Sequence, residues 1–85
     1  MTIKLTKHAK LKIKQRKLSL DDINRVVEKP DLIEYDKFDK SLIHYIGRVE
    51  DKFLRIIGRW ESRDDFLIIS AFFDRRLKRR SHDKD

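Results

Sequence analysis

The stretch SLDDINRVVEKPDLIEY, residues 19–35, changes its hydrophobic period at a single proline, Pro30. Before Pro30 the apolar residues recur at the spacing of one helix face: Leu20, Ile23, Val26 and Val27. After Pro30, residues 32–35 form a short run with the composition of a strand. A helix followed directly by a strand predicts a mixed α and β domain.

Capping residues set the limits of this helix. Ser19 is a favourable first residue because its hydroxyl can accept a hydrogen bond from the first turn, and SLDD resembles a capping box. Asp21 and Asp22 lie in that turn, where the helix dipole favours negative charge. Pro30 ends the helix because the residue before a proline is driven out of helical geometry.

An earlier helix is predicted from about Lys7 to Lys17, with Thr6 as its cap. Its inward side follows helical spacing: Leu5, Ala9, Ile13 and Arg16. The remaining face is a column of four ammonium groups: Lys7, Lys10, Lys14 and Lys17. We therefore expect two amphipathic helices at the start of the chain, the first with a strongly basic outer face.

Three longer strand-like runs follow residues 32–35, at residues 41–49, 53–60 and 66–73. Short polar segments join them, which indicates an antiparallel meander. The segments contain no glycine, so we expect type I variants or longer loops. The predicted fold is α+β: two N-terminal helices packed on one face of a twisted antiparallel sheet of three to four strands, in a single domain over residues 1–85.

Two glycines interrupt these strands, each directly before an arginine, as Gly47-Arg48 and Gly58-Arg59. Glycine weakens a strand unless a bend, a bulge or a close backbone approach requires it. One interpretation is strong sheet curvature around a small core. The other is that the bends direct Arg48 and Arg59 into a concave face.

Charge is segregated along the chain. Residues 1–18 contain seven bases and no acid, residues 19–71 contain nine bases and twelve acids, and residues 72–85 contain six bases and three acids. The formal net charge of +7 therefore belongs to the two ends. Basic surfaces of this kind concentrate polyanions, of which nucleic acid is the commonest. Solubility alone, or an acidic protein partner, would also account for it.

Several functional classes have no support in the composition. The chain has no cysteine, and its three histidines lack metal-ligand spacing. There is no glycine-rich phosphate loop and no catalytic triad spacing, so we expect no metal and no cofactor. No apolar run approaches the roughly 20 residues that span a bilayer, and the basic N-terminus lacks the apolar stretch of a secretion signal. We expect a cytoplasmic protein without a membrane partner.

A concave sheet face lined with Arg, His and Tyr has the groups needed to cleave RNA without a metal. RNA supplies its own nucleophile, the 2′-hydroxyl, and the protein must accept a proton, stabilise the charged phosphorane and protonate the leaving oxygen. Arginine suits the second role because it binds phosphate bidentately and stays charged. Candidates for proton transfer are His8, His44, Tyr45 and a lysine with a lowered pKa.

Each candidate also has a purely structural interpretation. His8 would pack beside the sheet or bond a turn carbonyl, and His44 would be a satisfied strand histidine. Arg16 would cover the core with its aliphatic stem. The aromatic residues Trp60 and Phe72-Phe73 are more typical of a core or a protein contact than of a base-stacking platform.

Motifs at both ends of the chain resemble known prokaryotic families. The opening Thr6-Lys7-His8-Ala9, the segment Gln15 to Ile23 and the helix stop Lys29-Pro30 resemble a widespread domain of unknown function that begins T-K-H-A. The second half resembles the BrnT toxins of the RelE/ParE superfamily, in the pieces Tyr45-Ile46-Gly47-Arg48, Ile68-Ile69-Ser70-Ala71 and the trailing arginines. Two positions depart from these patterns: Arg16-Lys17 stands where BrnT-like toxins have His-Gly, and Phe72-Phe73 replaces more polar residues.

The resemblance implies a RelE-like fold and the toxin component of a type II toxin–antitoxin system, a metal-independent endoribonuclease. It implies as partners RNA, including RNA on the ribosome, and an antitoxin protein, with a homodimer left open. The implied catalytic residues are His8, Arg16, Arg48 and Arg75. From the basic face of the first helix, the strand arginine and the arginine-rich end, we expect the nucleic-acid-binding residues to be Lys7, Lys10, Lys14, Lys17, Arg59, Arg76, Arg79 and Arg80. A non-catalytic nucleic-acid-binding protein and a ParE-like toxin with a protein target remain alternatives.

Overall fold

The computed structural model describes residues 1–77, in which two helices pack on a five-stranded sheet. The elements follow the chain as β1 Thr2–Leu5, α1 Lys7–Gln15, α2 Leu20–Glu28, β2 Leu32–Tyr35, β3 Ile43–Val49, β4 Lys52–Trp60 and β5 Asp65–Phe73. The strand order in the sheet is β1-β5-β4-β3-β2. The predicted α+β class with two N-terminal helices is confirmed.

The sheet is mixed rather than wholly antiparallel, and it has one strand more than predicted. β1 pairs in parallel with β5, with Thr2 opposite Asp65 and Leu5 opposite Ile68. The sequence did not reveal β1 because only five residues precede the α1 cap, and Leu5 fits the apolar spacing of the helix equally well. β2 to β5 form the predicted antiparallel meander.

Side-chain caps begin both helices, as predicted. Thr6 accepts a hydrogen bond from the Ala9 N–H at 3.0 Å, and Ser19 accepts one from the Asp22 N–H at 3.2 Å. α1 ends at Gln15 rather than Lys17, because Lys17 has left-handed backbone geometry, with φ 56°. Leu20 is exposed, so its predicted place in the core is wrong.

The core lies between the two helices and one face of the sheet. α1 packs mainly on β5, whereas α2 packs on β3 and β4. The buried residues of this core are Ala9, Ile13, Leu18, Ile23, Val26, Val27, Tyr45, Leu54, Ile56, Phe66, Ile68 and Ala71. The opposite face of β3 and β4 carries His44, Arg48, Arg55 and Arg59, on the alternate positions of the pleat.

Both strand glycines are explained by close packing. A Cβ atom at Gly47 would lie 2.7 Å from Cγ2 of Val26 on α2. A Cβ atom at Gly58 would lie 2.3 Å from the backbone carbonyl oxygen of Leu67, beside a register shift between Ile57 and Gly58. These contacts support the structural interpretation of the two glycines, while Arg48 and Arg59 are exposed.

The β3–β4 hairpin closes through two residues, Glu50 and Asp51, between the paired Val49 and Lys52. Glu50 has φ 59°, whereas Asp51 is not among the residues with positive φ. Types I and I′ have φ of one sign at both central residues, so this hairpin does not use the type I variant predicted.

Candidate functional site

A buried arginine, Arg55, organises the sheet face opposite the helices. Its Nε donates to Oδ2 of Asp74 at 2.7 Å, and its Nη1 donates to Oε1 of Glu34 at 3.0 Å. The same Nη1 lies 2.7 Å from Nδ1 of His44. A charge taken out of water must be paired and hydrogen-bonded, and these three partners meet that requirement.

The contacts of His44 define its tautomer. A guanidinium group only donates, so Nδ1 of His44 accepts from Arg55. Nε2 therefore carries the ring proton and donates it to Oδ1 of Asp36 at 2.8 Å. Because both ring nitrogens are engaged, His44 has no free nitrogen to accept a proton from a substrate in this arrangement.

Asp74 joins Arg55 to a second arginine. Arg76 donates from Nε to Oδ1 of Asp74 and from Nη2 to Oδ2, both at 3.1 Å. These bonds, together with that from Arg55, hold the pKa of the Asp74 carboxyl well below its usual range, although burial opposes the shift. The same contact raises the pKa of Arg76. Most of the Arg76 side chain remains exposed.

The turn after β2 is braced by two aspartates. Oδ2 of Asp36 accepts from the N–H of Phe38 at 3.1 Å and of Asp39 at 3.0 Å. Oδ1 of Asp39 accepts from the N–H of Ser41 at 2.9 Å and its hydroxyl at 2.6 Å. The backbone bond from Asp39 is the main reason that the pKa of Asp36 is lowered, with His44 second. The turn holds the Phe38 side chain in solvent, 94% exposed.

These residues line an open cleft of about 560 Å³. Its lining is Glu34, Tyr35, Asp36, Lys37, Phe38, His44, Arg55, Asp74, Arg76 and Leu77. Three carboxylates face three cations there, so the cleft is close to neutral while His44 is neutral. Across residues 1–77, no group of three or more His, Asp or Glu side chains is placed to hold a metal ion.

The four residues predicted as catalytic do not line this cleft. His8 is exposed in the first turn of α1, on the helix side of the sheet. Arg48 lies on β3, with its side chain on the opposite side, and its Nε donates to the Glu50 carbonyl at 3.2 Å. Arg75 is exposed just after β5. The structure thus distributes these residues over both sides of the sheet.

Arg16, the fourth, stabilises the exposed edge of β5. Its Nη1 donates to the carbonyl oxygen of Ala71 at 2.9 Å. β1 pairs with β5 only as far as Ile68, so Ala71 lies beyond the end of that pairing. Arg16 follows α1 as its C-cap residue and is exposed. Its observed contact is therefore a link between helix and strand rather than a cover for the core.

The predicted nucleic-acid-binding residues include an uninterrupted basic surface. We call Lys7, Lys10, Lys14 and Lys17 the lysine surface; all four are exposed. Among the described residues, no carboxylate lies within 4 Å of their ammonium groups. Of the others, Arg59 is exposed on β4 and Arg76 borders the cleft. Arg79 and Arg80 lie outside the described residues.

The first half of the lysine surface is unfavourable for the helix that carries it. The first turn of α1 has no acidic residue, so Lys7 and Lys10 lie near the positive end of the helix dipole without a compensating charge. Lys14 is in the last turn, where the dipole favours a cation, but like charges three or four positions apart, such as Lys10 and Lys14, cost roughly 0.2–0.5 kcal/mol per pair. Local stability therefore does not explain the lysines at the start of the helix.

Sequence reasoning missed the centre of the cleft. Arg55 was not identified as a site residue, and neither were Glu34, Asp36 and Asp74. One pattern could have indicated it: Arg55 stands between Leu54 and Ile56 in a strand predicted to be central. An arginine there must be buried or face a sheet surface, and burial requires a carboxylate partner.

Comparison with known proteins gives one family. The model of the family described as "Domain of unknown function (DUF4258)" matches residues 5–73. No curated protein and no solved structure matches the chain. Within the described residues, no helix is both long enough and apolar enough to cross a membrane.

Proposed function

We propose that this chain, which belongs to the family of unknown function DUF4258, is a metal-independent endoribonuclease and the toxin component of a type II toxin–antitoxin system. The observation that carries the proposal is the lysine surface. Four exposed lysines follow one face of α1 with no acidic partner among the described residues. Such a surface pairs with phosphates and releases their counterions.

The proposed chemistry uses the 2′-hydroxyl of RNA as nucleophile. His8 is the proton-transfer group in this proposal, because it is exposed on the same helix as the lysine surface, whereas both nitrogens of His44 are engaged. The lysine surface lies on the same helix as His8 and would stabilise the charged phosphorane. Arg48 and Arg75 are exposed, but Arg48 lies on the other side of the sheet from His8, so these arginines would bind flanking phosphates of the RNA.

A second candidate function is nucleic-acid binding without cleavage. The hydrogen bonding of the cleft side chains favours this function, because Arg55 has three partners and His44 has two. In addition, no buried side-chain nitrogen or oxygen of the described residues lacks a partner. A network with every group paired suits a structural role. The lysine surface would then be the whole functional element.

RNA binding is tested with two double variants that remove the same charge. Lys10→Gln with Lys14→Gln alters the lysine surface, and Lys40→Gln with Arg63→Gln alters exposed cations elsewhere. We expect the first pair to weaken binding of single-stranded RNA and to lower the salt slope by about 1.4, at roughly 0.7 per lost contact. The second pair should change little. Equal losses in both pairs, or no RNA binding by the wild type, would refute the assignment of this surface.

Cleavage is tested on labelled RNA in EDTA, free and on ribosomes. We expect products ending in a 2′,3′-cyclic phosphate, lost in His8→Ala, reduced in Arg48→Ala and retained in a folded His44→Ala variant. Binding without cleavage on either substrate would favour the second candidate. Cleavage that survives His8→Ala would keep the ribonuclease and remove His8 from its mechanism.

A further inference from the structure

The edge strand β2 leaves one side of its backbone unpaired within the described structure. It is the last strand on its side of the sheet, and all four of its residues are exposed. The Asp36 N–H donates to the Leu42 carbonyl. Because successive residues of a strand point their backbone groups alternately to its two sides, residues 32 and 34 also direct theirs towards β3. Ile33 and Tyr35 therefore present their N–H and C=O groups to the open side.

The same short segment concentrates apolar surface. Four large apolar residues are exposed here: Leu32 (44%), Ile33 (48%), Tyr35 (73%) and Phe38 (94%). They are half of the large hydrophobic residues exposed in the described chain. Natural edge strands are usually protected by a lysine, a proline, a bulge or a covering loop. β2 contains no lysine and no proline, and its one charge, Glu34, is paired with Arg55. The edge is protected mainly by its shortness, and its apolar side chains leave it suited to pairing with another short strand.

We propose that the occupant of this edge is a second copy of the chain, whose β2 pairs antiparallel with the first about a two-fold axis at Glu34. In this register Ile33, whose backbone N–H and C=O groups point to the open side, lies opposite Tyr35 of the second copy. By symmetry, Tyr35 lies opposite Ile33 of the second copy. Aromatic and β-branched residues form favourable cross-strand pairs. The two sheets would join into one sheet of ten strands.

Charges beside β2 are compatible with this pairing. Asp31 precedes the strand and Lys37 follows it, so in an antiparallel pair the Asp31 end of each copy lies beside the Lys37 end of the other. Only Glu34 lies opposite its own copy, and that carboxylate is already bonded to Arg55.

Local charge disfavours a polyanion at this edge. Residues 28–40 contain five acids and three lysines, although the chain as a whole carries +7. The lysine surface belongs to α1, which packs on β5, three strand spacings or about 14 Å from β2. That distance exceeds the Debye length of about 8 Å in physiological salt, so the two basic surfaces repel each other only weakly.

The absence of native cysteine allows a test by single-site cross-linking. In the proposed register the two copies of position 34 form a non-hydrogen-bonded pair with Cα atoms about 4.5 Å apart, within disulfide range. Glu34→Cys should give a covalent dimer on mild oxidation. Leu32→Cys is the matched control: it lies on the same face, but its two copies would be about 13 Å apart, and it should remain uncross-linked.

A measurement of mass in solution completes the test, because Glu34→Cys also removes a partner of Arg55. Sedimentation at tens of micromolar should give a dimer for the wild type, a monomer for Tyr35→Lys, and a dimer for Leu11→Lys, which changes an exposed leucine on α1. A monomeric wild type, or equal cross-linking at positions 32 and 34, would overturn the proposal. RNA binding by Tyr35→Lys is a separate readout, so this proposal and the proposed function can fail independently.

Discussion

The carboxylate of Asp74 lies 2.7 Å from Nε of Arg55, and the two side chains are only 2% and 7% exposed. This pair joins the residue after β5 to the middle of β4. It places the chain beyond β5 over the sheet face opposite the helices, and through Asp74 it also holds Arg76 at the cleft.

Asp74→Asn should destabilise the fold strongly. It removes the charge that compensates buried Arg55, and breaking one side of a buried pair typically costs 3–5 kcal/mol. A domain of this size has a total stability of only about 5–15 kcal/mol. Urea unfolding monitored by circular dichroism measures the loss, with Asp64→Asn at an exposed position as the control. A change below 1 kcal/mol for Asp74→Asn would show that Arg55 does not depend on this carboxylate.

Stability should fall in acid through the same residue. The pKa of Asp74 is depressed in the folded state, so its contribution is complete above the unfolded value of about 3.9 and is lost as pH falls below that value towards the folded pKa. Unfolding free energies measured from pH 6 to pH 2 should decline steeply below about pH 4. Asp74→Asn should flatten this decline but not abolish it, because the pKa values of Asp36 and Asp39 are also lowered. Parallel curves for the two proteins would contradict the assignment.

Lys17→Gly should stabilise the protein while weakening its binding of RNA. With φ 56°, Lys17 adopts the left-handed geometry that glycine occupies most readily after a helix. Relief of this strain should add about 1 kcal/mol. Lys14→Gly is the matched control, since it removes the same charge from the helix interior and should cost about 1 kcal/mol. A loss of stability in both variants would show that the backbone of Lys17 is not strained.

Alanine at the two strand glycines should have unequal effects. Gly58→Ala brings a Cβ against the fixed carbonyl of Leu67, whereas the three atoms nearest to a Cβ at Gly47 all belong to the side chain of Val26. We expect Gly47→Ala to cost about 1–3 kcal/mol and Gly58→Ala to cost more. Val26→Ala should partly rescue Gly47→Ala in a double-variant cycle. Absence of any coupling between positions 47 and 26 would disprove the proposed contact.

Local patterns predicted the local parts of the fold. The caps at Thr6 and Ser19, the helix stop at Pro30 and the strand over residues 32–35 all depend on neighbouring residues, and the structure confirms them. The parallel strand β1 depends on β5, more than sixty residues later. Four residues of alternating character carry too little information to reveal such a partner.

The sequence gives one local indication of the cleft, the position of Arg55 between two apolar strand residues, but it does not give the partners of Arg55. Glu34, His44, Arg55 and Asp74 come from separate parts of the chain, and only the registers of β2 with β3 and of β3 with β4 bring the first three together. His44 was predicted as a candidate because histidine is the side chain that ordinarily changes charge near neutral pH. Arg55 was not, because a strand arginine is usually exposed, and its burial depends on an aspartate nineteen residues away.

The parallel pairing of β1 with β5 has a consequence for how the protein is made. Residues 2–5 leave the ribosome early, but the strand that pairs with them, residues 65–73, is translated much later. Until then α1 lacks the strand on which it mainly packs, so the lysine surface is carried by a helix too short to be stable alone. A nascent chain would therefore remain incompletely folded for most of its synthesis. Any activity that depends on the folded domain would therefore begin only after β5 had been released.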